Sequence, residues 1–170
     1  SPRWLQKKKI ETICEERPEN FYLLDYFNLK RNINHLISLA KAKKYDLIVF
    51  DTQTKALDME DENDNAEANR VATLLKKLAM ETGAAILLIH HNKKGEGGKD
   101  VYRGRGASAI AAAVDIVAIL NSQSYGILKL EIVKSRVPGV YQAITIKKVG
   151  DDKFERVGTD EVSQGYKSRR

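Results

Sequence analysis

Two short apolar runs, each stopping abruptly at polar side chains, constrain this chain more than any other feature. Tyr45-Asp46-Leu47-Ile48-Val49-Phe50-Asp51-Thr52 runs through four aliphatic and aromatic residues into a carboxylate. Ala84-Ala85-Ile86-Leu87-Leu88-Ile89-His90-His91 runs through six apolar residues into imidazoles. Unbroken runs of this length read as strands buried on both faces, and such strands belong to parallel sheets. The stretch between them supplies the crossover that a parallel pair requires. Residues 64–82 place Val71, Leu74, Leu75 and Leu78 on one helical face, and Gly83 follows as the stop. In such a sheet the strand C-terminal ends line up along one edge, where ligands bind. Asp51 and His90 are both delivered to that edge.

The flanking residues extend the pattern. Residues 3–16 read as a helix that stops before Pro18, and Phe21-Tyr22-Leu23-Leu24-Asp25 as a short strand. Residues 29–44 set Leu29, Ile33, Leu36, Ile37 and Ala40 on one helical face. The order strand–helix–strand–helix–strand predicts right-handed parallel crossovers. After an Ala-rich helix at 107–113, Val114 to Leu120 reads as another buried strand. Gly126–Lys134, Val140–Val149 and Lys153–Val157 then alternate, with turns at Val137-Pro138-Gly139 and Gly150-Asp151-Asp152, and predict antiparallel hairpins. The fold class expected is α/β, a mostly parallel sheet flanked by helices with antiparallel strands at the C-terminal end.

Composition bounds the partners. The 170 residues carry a net charge of +6 and a pI near 9.3, which suits a polyanion. No apolar stretch is long enough to span a membrane, and no secretory signal is present. The single cysteine, Cys14, excludes an internal disulfide, so a cytoplasmic setting is expected. The chain opens Ser1-Pro2 rather than with Met, which points to a processed product or a piece of a longer protein. The basic tail, residues 161–170, is expected to be disordered beyond a domain covering residues 1–160.

The charge is unevenly placed. Asn92 to Gly106 carries five glycines, Gly95, Gly97, Gly98, Gly104 and Gly106, interleaved with Lys93, Lys94, Lys99, Arg103 and Arg105. A flexible cationic segment can follow a phosphate chain, and Tyr102 could stack on a base; the alternative is a solvated loop. Asp58, Glu60, Asp61, Glu62 and Asp64 read as a solvated loop running into a helix start rather than a metal site. Asp51 either holds a metal-bound water or caps a turn. His90 either reads a ligand or is satisfied by a neighbouring backbone group. Period-2 alternation sends His90 and His91 to opposite sides, so they do not share one role. Zinc held by Asp51 and the histidines lacks a third close ligand of suitable type. Lys134 and Arg136, one residue apart at a strand end, fall on one side and can face one anion, or are a surface pair beside a turn.

This order of elements and end residues resembles the RecA-like ATPase core, in the branch of hexameric replicative helicases and plasmid RepA-type helicases, over roughly residues 1–150. Leu47 to Asp51 is similar to the Walker B strand of that family. Ile89 to Gly95 is similar to its sensor strand and the start of its DNA-facing loop, and Arg103 to Ala109 to the end of that loop. Lys134-Ser135-Arg136 is similar to the Lys-x-Arg finger that members offer to a neighbouring subunit's ATP. The resemblance implies ATP and Mg²⁺ as cofactors, with Asp51 reaching Mg²⁺ through water. It implies His90 as the γ-phosphate sensor, Lys134 and Arg136 as trans elements, single-stranded DNA as the partner on Lys93, Lys94, Lys99, Arg103 and Arg105, and a homo-oligomeric ring or filament. Two departures stand out. No G-x-x-x-x-G-K-[ST] phosphate loop occurs in the 170 residues. The family's catalytic Glu, which ends the strand before the helix where this chain begins, also has no counterpart, since Glu11, Glu15 and Glu16 are helix residues. The expectation is a portion of a RecA-fold ATPase, inactive alone, that acts in DNA replication or recombination. The rival readings are a non-enzymatic RecA-fold module that binds DNA or subunits, and a metal-dependent hydrolase using Asp51 and the histidines.

Overall fold

The computed structural model describes residues 8, 20–24, 27–51, 65–90, 107–140, 142–150 and 153–161. The chain divides into two compact units, Leu24–Val114 on one hand and Ser1–Leu23 with Asp115–Arg170 on the other. The first holds helices and a parallel strand pair, the second an antiparallel sheet, so the fold class is α/β.

In the Leu24–Val114 unit, helix α1 spans Leu29–Lys43. Asn28 starts it from extended backbone, with its Oδ1 accepting the Arg31 N–H at 3.0 Å. Leu29, Ile33, Leu36, Ile37 and Ala40, the residues expected on the apolar face, are all buried. The helix ends where Lys44 turns left-handed at φ 54. That turn lets the Tyr45 N–H reach the Ala40 carbonyl at 3.1 Å and the Lys44 N–H the Lys41 carbonyl at 3.4 Å. This is the paired closure usually built on glycine, here built on a lysine.

Strand β1, Leu47–Asp51, follows directly. Helix α2, Asn65–Thr82, leads through Gly83 into strand β2, Ala85–Ile89. Gly83 takes φ +74, and its N–H reaches the Ala79 carbonyl at 2.9 Å, as expected of the stop. Lys30 of α1 pairs with Glu67 near the start of α2, and Lys41 with Glu81 near its end at 3.1 Å, so the two helices run in the same direction. Each helix returns to its strand through a connection of two or three residues. Such short connections force a reversal, so both helix N-terminal ends lie toward the edge where β1 and β2 end.

β1 and β2 pair in parallel, Leu47 with Ala85 through Asp51 with Ile89. Ile48 and Phe50 pack into the core with Val71, Leu75, Leu78 and Ile110, the last from helix α3, Ala107–Ala113. Burial on both strand faces is not observed. Leu47, Val49 and Leu87 are 54, 46 and 48 % exposed. Among the described residues, apolar packing covers one face of the pair, whereas a continuous apolar run anticipates cover on both.

The expected strand at Phe21–Asp25 is also absent over the described residues 21–24, which form no regular structure. The helix expected at 3–16 lies outside the described residues apart from Lys8.

In the second unit, β3 (Ile116–Ser124), β4 (Ile127–Ser135), β5 (Gln142–Lys148) and β6 (Phe154–Glu161) form an antiparallel sheet in chain order. The hairpins appear where alternation places them. β3, expected in the parallel sheet, instead pairs antiparallel with β4, Leu120 against Leu130. The two-residue turn Tyr125-Gly126 accounts for this, since it lets the chain fold straight back, and Gly126 takes the positive φ of 74 that the turn demands. Cross-strand partners share a face, so Leu120, Leu128, Leu130, Ile132, Ile144 and Ile146 line one side of the sheet.

Candidate functional site

The parallel register places the two residues singled out at the strand ends on neighbouring strands. Asp51, the last residue of β1, stands opposite Ile89, and His90 follows Ile89 directly. Both are exposed. The tight exits from α1 and α2 set this register, because the Ala85 N–H already donates to the Asp46 carbonyl at 2.8 Å below the first strand pair. At the edge where the strands end, the exposed Asp51 carboxylate can order water on a cation, and the exposed His90 imidazole, on the neighbouring strand end, can hydrogen-bond an anion. Among the described residues no group of three or more His, Cys, Asp and Glu side chains converges as a metal site. His91 and Cys14 lie outside the described residues.

A depression of about 300 Å³ lies elsewhere, between α1 and α2, lined by Lys30, Glu67, Arg70, Thr73 and Leu74. It includes neither Asp51 nor His90. Its lining has no convergent acid pair, the Thr73 hydroxyl donates to the Asn69 carbonyl at 2.9 Å, and Lys30 is already bridged to Glu67.

The second cluster forms at the end of the β3–β4 ladder. Lys134 pairs with Val117, and Arg136 follows the strand. The Arg136 N–H donates to the Asp115 carbonyl at 2.9 Å, and its Nη1 donates to Asp115 Oδ1 at 3.1 Å. The Ser135 hydroxyl clasps the turn beyond, donating to the Val137 carbonyl at 2.8 Å and accepting the Val137 N–H at 3.0 Å. Partial burial pushes the Lys134 ammonium below the ordinary lysine value of 10.5; Arg136 lowers it further, and Asp115 opposes the shift. Lys134 and Arg136 are therefore brought together as their spacing predicts, in one cluster with Asp115. The role of Asp115 is not legible in the sequence. The only signal is a lone carboxylate interrupting the apolar run Val114-Asp115-Ile116.

Lys93, Lys94, Lys99, Arg103 and Arg105, with Tyr102, lie outside the described residues, as do the acids from Asp58 to Asp64.

Residues 7–97 match the family model described as AAA domain. The match spans more than half of the 170 residues. The chain belongs to the AAA domain family. It is thus an ATPase-type domain of the P-loop kind, and the family in general uses a nucleotide with Mg²⁺. The matched stretch of this AAA domain chain takes in α1, β1, α2 and β2 with Asp51, His90, Lys93 and Lys94. It stops short of Lys99, Arg103, Arg105, Lys134 and Arg136. No curated protein matches the chain. Among the described residues no helix is long and apolar enough to cross a membrane.

Proposed function

We propose that this chain is a portion of a RecA-like P-loop ATPase domain, residues 1–160 with a basic tail at 161–170, that acts on single-stranded DNA as a ring or filament. The observation that carries the reading is the register that sets Asp51 and His90 on adjacent strand ends inside the matched AAA domain region. Nucleotide and Mg²⁺ supply the phosphoryl chemistry when bound. Asp51 fits the metal side, because its exposed carboxylate can accept hydrogen bonds from water on Mg²⁺. His90 fits the γ-phosphate side, because its exposed imidazole can hydrogen-bond a phosphate oxygen. The phosphate cradle is a different matter, since no G-x-x-x-x-G-K-[ST] lies in the 170 residues. Lys93, Lys94, Lys99, Arg103 and Arg105 provide the cations for a DNA backbone. Lys134 and Arg136 are suited to a neighbour's phosphates. The second reading is a non-enzymatic module that binds DNA or subunits.

ATP hydrolysis measured on the purified chain tests the half-site directly. The expected rate is background. Steady turnover that Asp51→Asn abolishes would sink the half-site reading. In a longer polypeptide that includes a phosphate loop, Asp51→Asn should cut turnover by a factor on the order of a hundred with the fold intact, as loss of one positioned charge-stabilising group does. Unchanged turnover there would favour the non-enzymatic module.

A further inference from the structure

One end of the antiparallel sheet gathers exposed aromatic rings and cations that no part of the proposed ATPase site uses. Tyr125 sits at the β3–β4 turn, wholly exposed. The next residue, Gly126, accepts the Lys148 N–H at 2.7 Å, which ties that turn to the end of β5. Lys148 in turn pairs with Phe154 at the start of β6, and Ile146 pairs with Arg156 two residues further along β6. Phe154, Lys148 and Arg156 thus share one face of the sheet, with Phe154 53 % exposed. Lys147 opposes Glu155 on the other face, and Lys153 precedes β6. From the Tyr125 turn to Phe154 is two strand spacings, about 10 Å.

We propose that Tyr125 and Phe154, with Lys148 and Arg156, form a stacking platform for single-stranded nucleic acid, built from other residues than those of the glycine-rich loop. Aromatic rings bordered by cations suit a ligand with flat bases strung on phosphates, because each base offers a π-face and each phosphate a charge. A protein partner seeking the aliphatic row of this sheet would meet Lys148 and Arg156 at this end and strip their hydration. A duplex keeps its bases stacked internally and gains nothing from the rings. The platform belongs to β4, β5 and β6 and their turns, so it stands whether or not the loop binds DNA.

The test is fluorescence anisotropy with a labelled oligo-dT and with a labelled duplex of equal length, on the 170-residue chain, across a salt series. Tyr125→Ala and Phe154→Ala should each weaken oligo-dT binding by about tenfold, as removal of one stacked base does, and leave the salt slope unchanged. Lys148→Ala with Arg156→Ala should lower the slope by about 1.4, since each phosphate neutralised on a single strand is worth about 0.7. Phe154→Trp should retain binding, and thermal melts matched to the starting chain show that the sheet is intact. A Lys93→Ala, Lys94→Ala, Arg105→Ala variant run in parallel separates the two surfaces. If that variant abolishes binding while both aromatic variants bind as before, the platform is wrong and the loop reading stands. Aromatic variants that lose duplex and oligo-dT affinity equally would also overturn the platform. So would a Phe154→Ala variant that turns an oligomer into a monomer with oligo-dT affinity unchanged, since that marks the ring as a protein contact.

Discussion

At the scale of single residues, two positions carry consequences that can be read without any ligand. Lys44 holds the left-handed turn after α1. That conformation costs a residue with a Cβ about 1–2 kcal/mol. Glycine avoids the clash but raises the entropy of the unfolded chain by about 0.5–1 kcal/mol. Lys44→Gly should therefore raise unfolding free energy by up to about 1 kcal/mol in urea titration. A decrease would mean that the lysine side chain contributes more than its strained backbone costs. Lys134 is the second position. Its folded pKa lies below the ordinary 10.5, so between those values the unfolded chain binds the extra proton and stability rises with pH. The burden is fully present below the folded pKa and is gone above the unfolded one. Comparing stability-against-pH curves of the starting protein and Lys134→Gln on the alkaline side should show a steeper rise for the lysine form. Parallel curves would refute the shift. Arg136 and Asp115 form an exposed pair, which contributes no more than about 1 kcal/mol and is correspondingly easy for a competing anion to displace.

At the scale of elements, the helices are the most legible part. Leu29, Ile33, Leu36, Ile37 and Ala40 recur at helical spacing, and α1 buries that set. The start of α1 shows why its boundary is sharp. Asn28→Ala removes the side chain that accepts the Arg31 N–H and should cost about 1 kcal/mol, measured by chemical denaturation, while Asn28→Asp should keep most of it. Strands are legible in position and less so in partnership. β1 and β2 lie within one or two residues of their expected spans, but apolar composition alone cannot say whether a second face is covered. β3 shows the same limit. Val114 to Leu120 reads as another buried strand, yet a two-residue turn after Ser124 decides the pairing. Local turn chemistry outweighs an apolar run. Asp115 is illegible for a related reason, since its partner Arg136 lies 21 residues on and only the hairpin brings them together.

At the scale of the whole molecule, the proposal makes Arg136 useful only when another copy presents its phosphates. Such an interface is head-to-tail, and it closes into a ring or continues as a filament. In a longer polypeptide carrying a phosphate loop, Arg136→Ala and Asp51→Asn should each remove most ATPase activity, the former by a factor of about 10³ or more if it acts as a trans arginine. Mixing the two should restore part of it, because some interfaces then pair an intact Asp51 with an intact Arg136. Mixed oligomers that form without any recovery would mean that Arg136 serves its own chain, as its hold on Asp115 allows.

The shared direction of α1 and α2 has an electrical meaning. Every peptide unit in a helix carries a dipole, and the aligned sum leaves roughly half a positive charge at the N-terminal end. Both helices turn that end toward the edge where Asp51 and His90 stand. The backbone itself therefore tilts this edge toward anions. That contribution is fixed by the way the helices feed their strands, so no substitution of Asp51 or His90 can erase it.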